Sequence, residues 1–179
     1  MIETARLILR PPVSADRAGL HAMWADPAVM ADLGPVKSAA DSDTTIARHA
    51  SYGDSHGLGF WAVVHREEKV LIGFCGLKPG AEGTPIAGEV EIGWMLARPW
   101  WGSGYAREAA AASLDWAWAS LAAQRVTAIT AAQNVRSQGL MERLGMRRLG
   151  ADFDHPAFDE LDPRRRSVAF VIDRPDITR

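Results

Sequence analysis

Cysteine is almost missing from this chain: Cys75 stands alone among 179 residues, which excludes an internal disulfide and a cysteine-based zinc site. An excess of one charge is missing too, because 20 Lys and Arg face 22 Asp and Glu for a net charge of -2. Nothing therefore draws the whole molecule toward nucleic acid or anionic lipid, and any anion site must be local. No apolar run approaches the roughly 20 residues that span a bilayer. The opening Met1-Ile2-Glu3-Thr4-Ala5-Arg6 lacks a basic stretch followed by an apolar one. Internal repeats and low-complexity segments are absent as well. Together these gaps predict a cytoplasmic protein with no nucleic-acid, membrane or metal partner.

What is present suffices for one core. With 47% hydrophobic and 23% charged residues, the composition is that of a globular chain, and the length predicts one domain over residues 1–179. Arg6 to Arg10 reads as a strand stopped by Pro11-Pro12. Ser14 caps a helix carrying Leu20, Met23 and Trp24, and Asp26-Pro27 starts a second short turn. Residues 35–42 read as a loop, and Thr44 to Tyr52 as a helix with a thin apolar stripe. From Phe60 the period changes to two: Phe60 to Val64 and Val70 to Leu77 form a hairpin, and Glu89 to Leu96 is a third strand with Glu89, Glu91 and Gly93 on one face. Ala106, Ala109, Ala110, Leu114, Ala117 and Leu121 mark the clearest helix. It carries Trp116 and Trp118, which its periodicity cannot both turn to the core, leaving one for an interface. A strand over 125–132, a helix over 138–144 closed by Gly145, and strands over 146–153 and 167–172 follow. The pattern is α+β, with an antiparallel-rich mixed sheet flanked by helices.

The chemistry concentrates between the third strand and that helix. Gly102 and Gly104 sit at a strand-to-helix turn, where glycine permits backbone conformations that let successive N–H groups converge in front of a helix N-terminus. Such a turn holds an anion with few basic side chains; its alternative is a tight turn with glycines for geometry alone. It is not a P-loop, because Tyr105 and Ala106 follow Gly104 where Lys and Ser/Thr are required, and it is not a dinucleotide fingerprint, because Arg107 stands where the third glycine belongs.

Glu91-Ile92-Gly93-Trp94, then Trp101-Gly102-Ser103-Gly104-Tyr105-Ala106-Arg107-Glu108-Ala109, then Asn134-Val135-Arg136-Ser137, then Leu144-Gly145-Met146 occur in that order. In this combination the chain resembles the GCN5-related N-acetyltransferases, specifically the branch that includes the ribosomal-protein-alanine N-acetyltransferases. Thr4 to Pro11 and Asp26 to Met30 resemble that branch too. The resemblance implies a mixed, mostly antiparallel sheet of about seven strands with two splayed parallel strands, acetyl-CoA as co-substrate, and a primary amine as acceptor. The acceptor is a small molecule or a protein N-terminus, and the protein a monomer or homodimer. It also implies that Gly102, Ser103, Gly104, Tyr105 and Ala106 hold the pyrophosphate, with Trp101 beside them in the cofactor site. The pantetheine arm would run along Trp94, Met95 and Leu96, with Asn134 reaching it.

Acyl transfer requires a proton acceptor for the amine, donors for an oxyanion, and a proton for the departing thiolate. Glu91 is the candidate base, acting through water, or else an exposed strand carboxylate. A backbone N–H near Trp94 to Leu96 is the candidate oxyanion donor. Ser137 matches the branch's thiolate proton donor, or else caps the helix over 138–144; the tyrosine that many relatives use four residues later is Met141 here. His155 lies in a loop where such proteins close over the acceptor. Cys75, inside an apolar strand, reads as core, and Arg164-Arg165-Arg166 as a solvated edge. A second reading remains: a non-catalytic CoA-binding sensor or interaction module on the same fold, which the methionine at 141 favours. The least patterned segments, 24–60, 80–88 and 153–165, would supply the acceptor pocket.

Overall fold

A computed structural model describes residues 1–175. The alternating apolar runs become one nine-stranded sheet: β1 (Ile2–Glu3), β2 (Leu7–Arg10), β3 (Phe60–His65), β4 (Leu71–Pro79), β5 (Val90–Leu96), β6 (Arg125–Ala131), β7 (Arg147–Arg148), β8 (Phe153–Asp154) and β9 (Arg166–Asp173). Their order is β1-β2-β3-β4-β5-β6-β9-β7, with β8 also beside β9. Every pairing is antiparallel except β5 with β6. Three strands of two residues raise the number above the seven the sequence suggests.

Among the described residues five α-helices cover the sheet: α1 (Arg17–Ala25), α2 (Pro27–Met30), α3 (Ala39–His56), α4 (Tyr105–Ser120) and α5 (Val135–Arg143). A parallel neighbour cannot be reached by a tight turn, so α4 forms the crossover from β5 to β6. Its stripe of Ala109, Ala110, Leu114 and Ala117 packs with Ile92 and Leu96 on one face, where the small alanines allow close approach. On the opposite face Leu20, Met23 and Trp24 of α1 and Val29 and Met30 of α2 pack against Phe74 and Met95. Alternation along β5 thus sends Ile92 and Leu96 to one side and Met95 to the other. Each such buried side chain contributes roughly 1.5–3 kcal/mol.

Several details differ from the sequence reading. Residues 39–42 are helical, not loop: Ser38 and Asp41 form a reciprocal capping box that starts α3, and Gly57 in the left-handed region ends it. The inward stripe of α3 is Ser42, Thr45 and His49, so polar residues hide its amphipathicity. The segment 146–153 is no single strand, because Gly150 at φ 68° breaks it between β7 and β8. Trp116 and Trp118 both pack within the chain, the first edge-on to Trp61 at 5.0 Å and the second under the Arg174 guanidinium at 5.5 Å. Arg164, Arg165 and Arg166 are paired with Asp162, Asp154 and Asp152.

Candidate functional site

β5 gives way to a short 3-10 turn (Arg98–Trp100) and then to Gly102 and Gly104, with φ of 78° and 82°. Both angles are strained for any L-residue with a side chain. Gly104 is the N-cap of α4 and supplies no side-chain cap, so the N–H groups of the first turn stay available in front of the helix. The turn is held from outside. Arg6 donates through Nη1 to the Ser103 carbonyl at 3.0 Å, through Nε to Glu108 at 2.7 Å, and lays its guanidinium 4.3 Å from the Tyr105 ring centroid. Burial acts to raise the Glu108 carboxyl, but hydrogen bonds from Thr4 and from Arg6 prevail and hold it below the usual range.

The parallel pair opens beside this turn. Gly80 N–H donates to Glu89 O and Ala97 N–H to Ile72 O, so odd-numbered residues of β5 direct their peptide groups toward β4 and even-numbered ones toward β6. The β5–β6 register contains a single residue pair, Glu91 with Thr127. Beyond it the strands part, leaving the peptide group of Trp94 on the open side. Leu96 O, on that side too, accepts from Trp101 Nε1 at 2.8 Å.

At the far side of the opening, Asn134 is the N-cap of α5 and accepts from Ser137 N–H at 3.1 Å. Its amide hydrogens go to Thr130 Oγ1 at 2.9 Å and Ser137 Oγ at 3.1 Å. Two sequence expectations change accordingly. The helix begins at Val135 instead of 138, and its cap is Asn134 instead of Ser137. Asn134, with both amide hydrogens engaged, acts on Ser137, whose Oγ accepts a bond and so keeps its own proton to donate. Met141 is buried in the core at 2% exposure.

Glu91 is not exposed: it is 4% accessible, and its carboxylate accepts from Lys78 Nζ at 2.5 Å. Burial pushes the Glu91 carboxyl above the usual range, against the pull of Lys78. His155 follows β8, its Nδ1 accepting from Ala157 N–H at 3.1 Å. Burial, and secondarily the Lys78 charge, lowers its pKa. The loop containing His155 meets the loop before β5, for a Cβ at Gly83 would lie 3.3 Å from Pro156. Cys75 is buried within the core, and burial pushes its thiol up to about 12.

These parts surround a cleft of about 570 Å³. Trp94, Met95 and Leu96 line it from β5, Trp101, Gly102, Gly104, Tyr105 and Ala106 from the turn, and Asn134 and Ser137 from α5. Ser103, Glu91 and His155 lie outside that lining; Glu91 sits at the closed end of the strand split, on the α1–α3 face, because it shares its side of β5 with Met95. Sequence reasoning missed the cations of the cleft: Arg107, Arg136 and Arg143 line it, with Arg136 4.3 Å over the Trp101 ring. Their signal was Arg107 in the first turn of α4 and the seven-residue spacing of Arg136 and Arg143 along α5. It also missed a strap across the mouth, where Gln133 donates to Asp32 at 3.1 Å, and it missed Lys78.

The model of the acetyltransferase (GNAT) domain family matches residues 6–147. Among curated proteins, the uncharacterized N-acetyltransferase p20 of Bacillus licheniformis is 28% identical over 152 residues, covering 82% of each chain. An acetyltransferase structure from Agrobacterium tumefaciens is 26% identical, covers 96% of this chain and 92% of its own, and superposes with a TM-score of 0.77. The Vibrio cholerae spermidine N-acetyltransferase, solved with CoA and spermine, shares the fold at 20% identity, 96% and 97% coverage and a TM-score of 0.74. A match running from β2 through β7 takes in the strand split, the glycine turn and the Asn134 cap together, and by it this chain belongs to the GNAT acetyltransferases.

Proposed function

We propose that the protein transfers the acetyl group of acetyl-CoA to a primary amine by direct attack. The carrying observation is that the strand split and the left-handed Gly102/Gly104 turn open into one cleft. The N–H groups of the turn and of the first turn of α4 suit a pyrophosphate, and Arg107, Arg136 and Arg143 complement its charge. The unpaired backbone of β5 at Trp94 suits an extended amide-bearing arm, which fits a gap where two strands fail to pair. Acetyl-CoA supplies a thioester as the acyl donor.

In the reaction, the neutral amine nitrogen bonds to the thioester carbon, the carbon–sulfur bond breaks, and the sulfur leaves as thiolate. The Trp94 N–H, fixed by the strand, donates to the oxyanion formed on the way. Glu91 takes the amine proton through water, its raised pKa making it a stronger base than an exposed glutamate. Ser137, held by Asn134, donates to the thiolate and regains its proton from solvent. His155, on the loop over the α1–α3 face, contacts the acceptor.

A consumption assay for acetyl-CoA over amine classes, with thermal shift as the binding measure, tests this reading. Acetyl-CoA raises the melting temperature by mass action, ATP and NAD far less, and at least one amine is acetylated. Equal stabilisation by all three ligands would overturn the CoA site, and binding without turnover on any amine would favour a non-catalytic module.

A further inference from the structure

Lys78 is the charged residue in this region that the mechanism above leaves without a role. It stands directly opposite Glu91 in the β4–β5 register and donates to it at 2.5 Å. Glu91 is its partner among the hydrogen bonds of the described residues, which leaves two of the three ammonium N–H donors open. The side chain keeps 27% of its exposure. Its path is also informative: a Cβ at Gly93 would lie 3.9 Å from Lys78 Cε and 3.5 Å from Phe60 Cζ. The lysine stem therefore crosses the bare backbone of Gly93 beneath Phe60, on the face of β5 opposite α4.

On this face of β5, Gly93 lies between Glu91 and the Trp94 peptide that faces the split, so the lysine stem runs beside the stretch of strand that joins the two, with its ammonium on Glu91. Besides the Glu91 carboxylate, cations act on the histidines nearby. Lys78 acts on His155, and Arg48, Lys78 and Lys37 act on His49. His49 packs edge-on to Phe60 at 4.5 Å, placing it beside the same aromatic roof. A polycation brought here meets Lys78 already seated on the buried carboxylate. A carboxylate meets two open donors.

We propose that Lys78 is the acceptor-specificity residue, its free N–H donors holding an anionic group of the acceptor, so that the amine acetylated carries a carboxylate within a few bonds of its nitrogen. This rests on the transferase reading above. Free α-amino acids and peptides beginning with an acidic residue share the required chemistry; polyamines lack it.

The test compares kcat/KM for matched acceptors: an α-amino acid, its carboxamide, a peptide beginning with Asp, the same peptide beginning with Asn, and spermidine. The readout is the ratio of carboxylate to amide form, because removing Lys78 also leaves Glu91 unpaired and lowers turnover on every amine alike, which the ratio cancels. The wild type is expected to favour the carboxylate forms by roughly tenfold or more, as for a charge-assisted bond in a partly desolvated site. Lys78→Met brings the ratio to about one, and Lys78→Arg keeps it. The arm that shows the preference, amino acid or peptide, identifies the source of the carboxylate. A wild-type ratio near one, a preference for spermidine, or a Lys78→Met ratio equal to the wild-type value would each overturn the proposal. If no amine is acetylated, calorimetric titration of the amino acid and its amide into protein saturated with acetyl-CoA still decides: Lys78-dependent binding of the carboxylate form supports the anion site while the transferase reading fails, and its absence overturns both.

Discussion

Arg6 and Glu108 stand 102 positions apart in the chain, yet two bonds from Arg6, Nε at 2.7 Å and the backbone N–H at 2.9 Å, end on that one carboxylate. The pair joins the start of β2 to the first turn of α4, and Arg6 also holds the Ser103 carbonyl. Arg6→Ala removes this outer brace without touching the cleft lining. Acetyl-CoA affinity is expected to fall roughly tenfold, with about 1–2 kcal/mol lost from stability because Glu108 keeps fewer partners. Calorimetric titration beside chemical denaturation measures both; unchanged affinity would show that the turn needs no brace.

Gly104→Val should act more directly on binding. Its φ of 82° costs a branched residue on the order of 1–3 kcal/mol, and a Cβ there would lie 3.5 Å from Arg6 Nη2, so the branched side chain crowds the brace that holds the turn. The expected result is a folded protein of lowered melting temperature whose acetyl-CoA binding is nearly abolished. Unaltered affinity in the folded variant would place the pyrophosphate elsewhere.

Asn134 and Ser137 separate stability from rate. Asn134→Ala removes the α5 cap and should cost about 1 kcal/mol, together with a rate loss from the freed serine. Ser137→Ala keeps the cap, so denaturation should change little, while kcat falls roughly 100-fold if the serine protonates the thiolate. Single-turnover kinetics on both variants shows the pattern, and a full rate in Ser137→Ala removes the serine from the proton path.

Glu91 must be ionised to accept a proton, and burial raises its pKa above the ordinary 4.5. Wild-type kcat/KM should therefore fall as pH drops through that raised value. Glu91→Gln loses most activity where the acceptor amine is protonated and recovers in part at high pH, where free amine is plentiful. Parallel pH–rate profiles for wild type and variant would refute the base if they have the same shape.

His49 sets an acid limit on stability. Its pKa is lowered by burial from 6.5 to about 4, so below pH 6.5 the unfolded chain binds a proton that the folded chain refuses. Stability is then lost as pH falls from 6.5 toward 4, by on the order of 3 kcal/mol in full. His49→Phe should flatten this part of the curve, as denaturation at pH 7, 6 and 5 would reveal; an unchanged slope assigns the acid sensitivity to other groups.

The central elements were legible because their periods are strong. The alanine stripe of α4 and the alternation in β3, β4 and β5 each match one template, and the glycine turn lies at their junction. The α3 helix was half hidden, since Ser42, Thr45 and His49 pack inward where apolar residues would have marked the stripe. The environment of Glu91 was not legible at all. Alternation puts it on a face, but neither its burial nor Lys78 follows from spacing, because their register is set by the long loop over 80–88 and the cross-strand pairing of β4 with β5. Ser137 was misplaced by three residues of helix boundary, the distance that decides between a cap and a free hydroxyl.

The single-pair contact between β5 and β6 has a mechanical consequence. Sheets usually fray from their rims, but here backbone pairing is thinnest in the middle, so β1 to β5 and the group of β6, β9, β7 and β8 are two plates joined at the closed end of the split, by the Glu91–Thr127 pair, the bond from Thr127 Oγ1 to Val90 O at 3.0 Å and the Arg125–Glu89 ion pair. In native-state amide exchange, the Trp94 amide should exchange quickly although it lies in the centre of the molecule, far sooner than β4 amides one strand away. A ligand bonded to both plates would slow that exchange and couple their opening, so that the protein unfolds more cooperatively with its donor bound than alone.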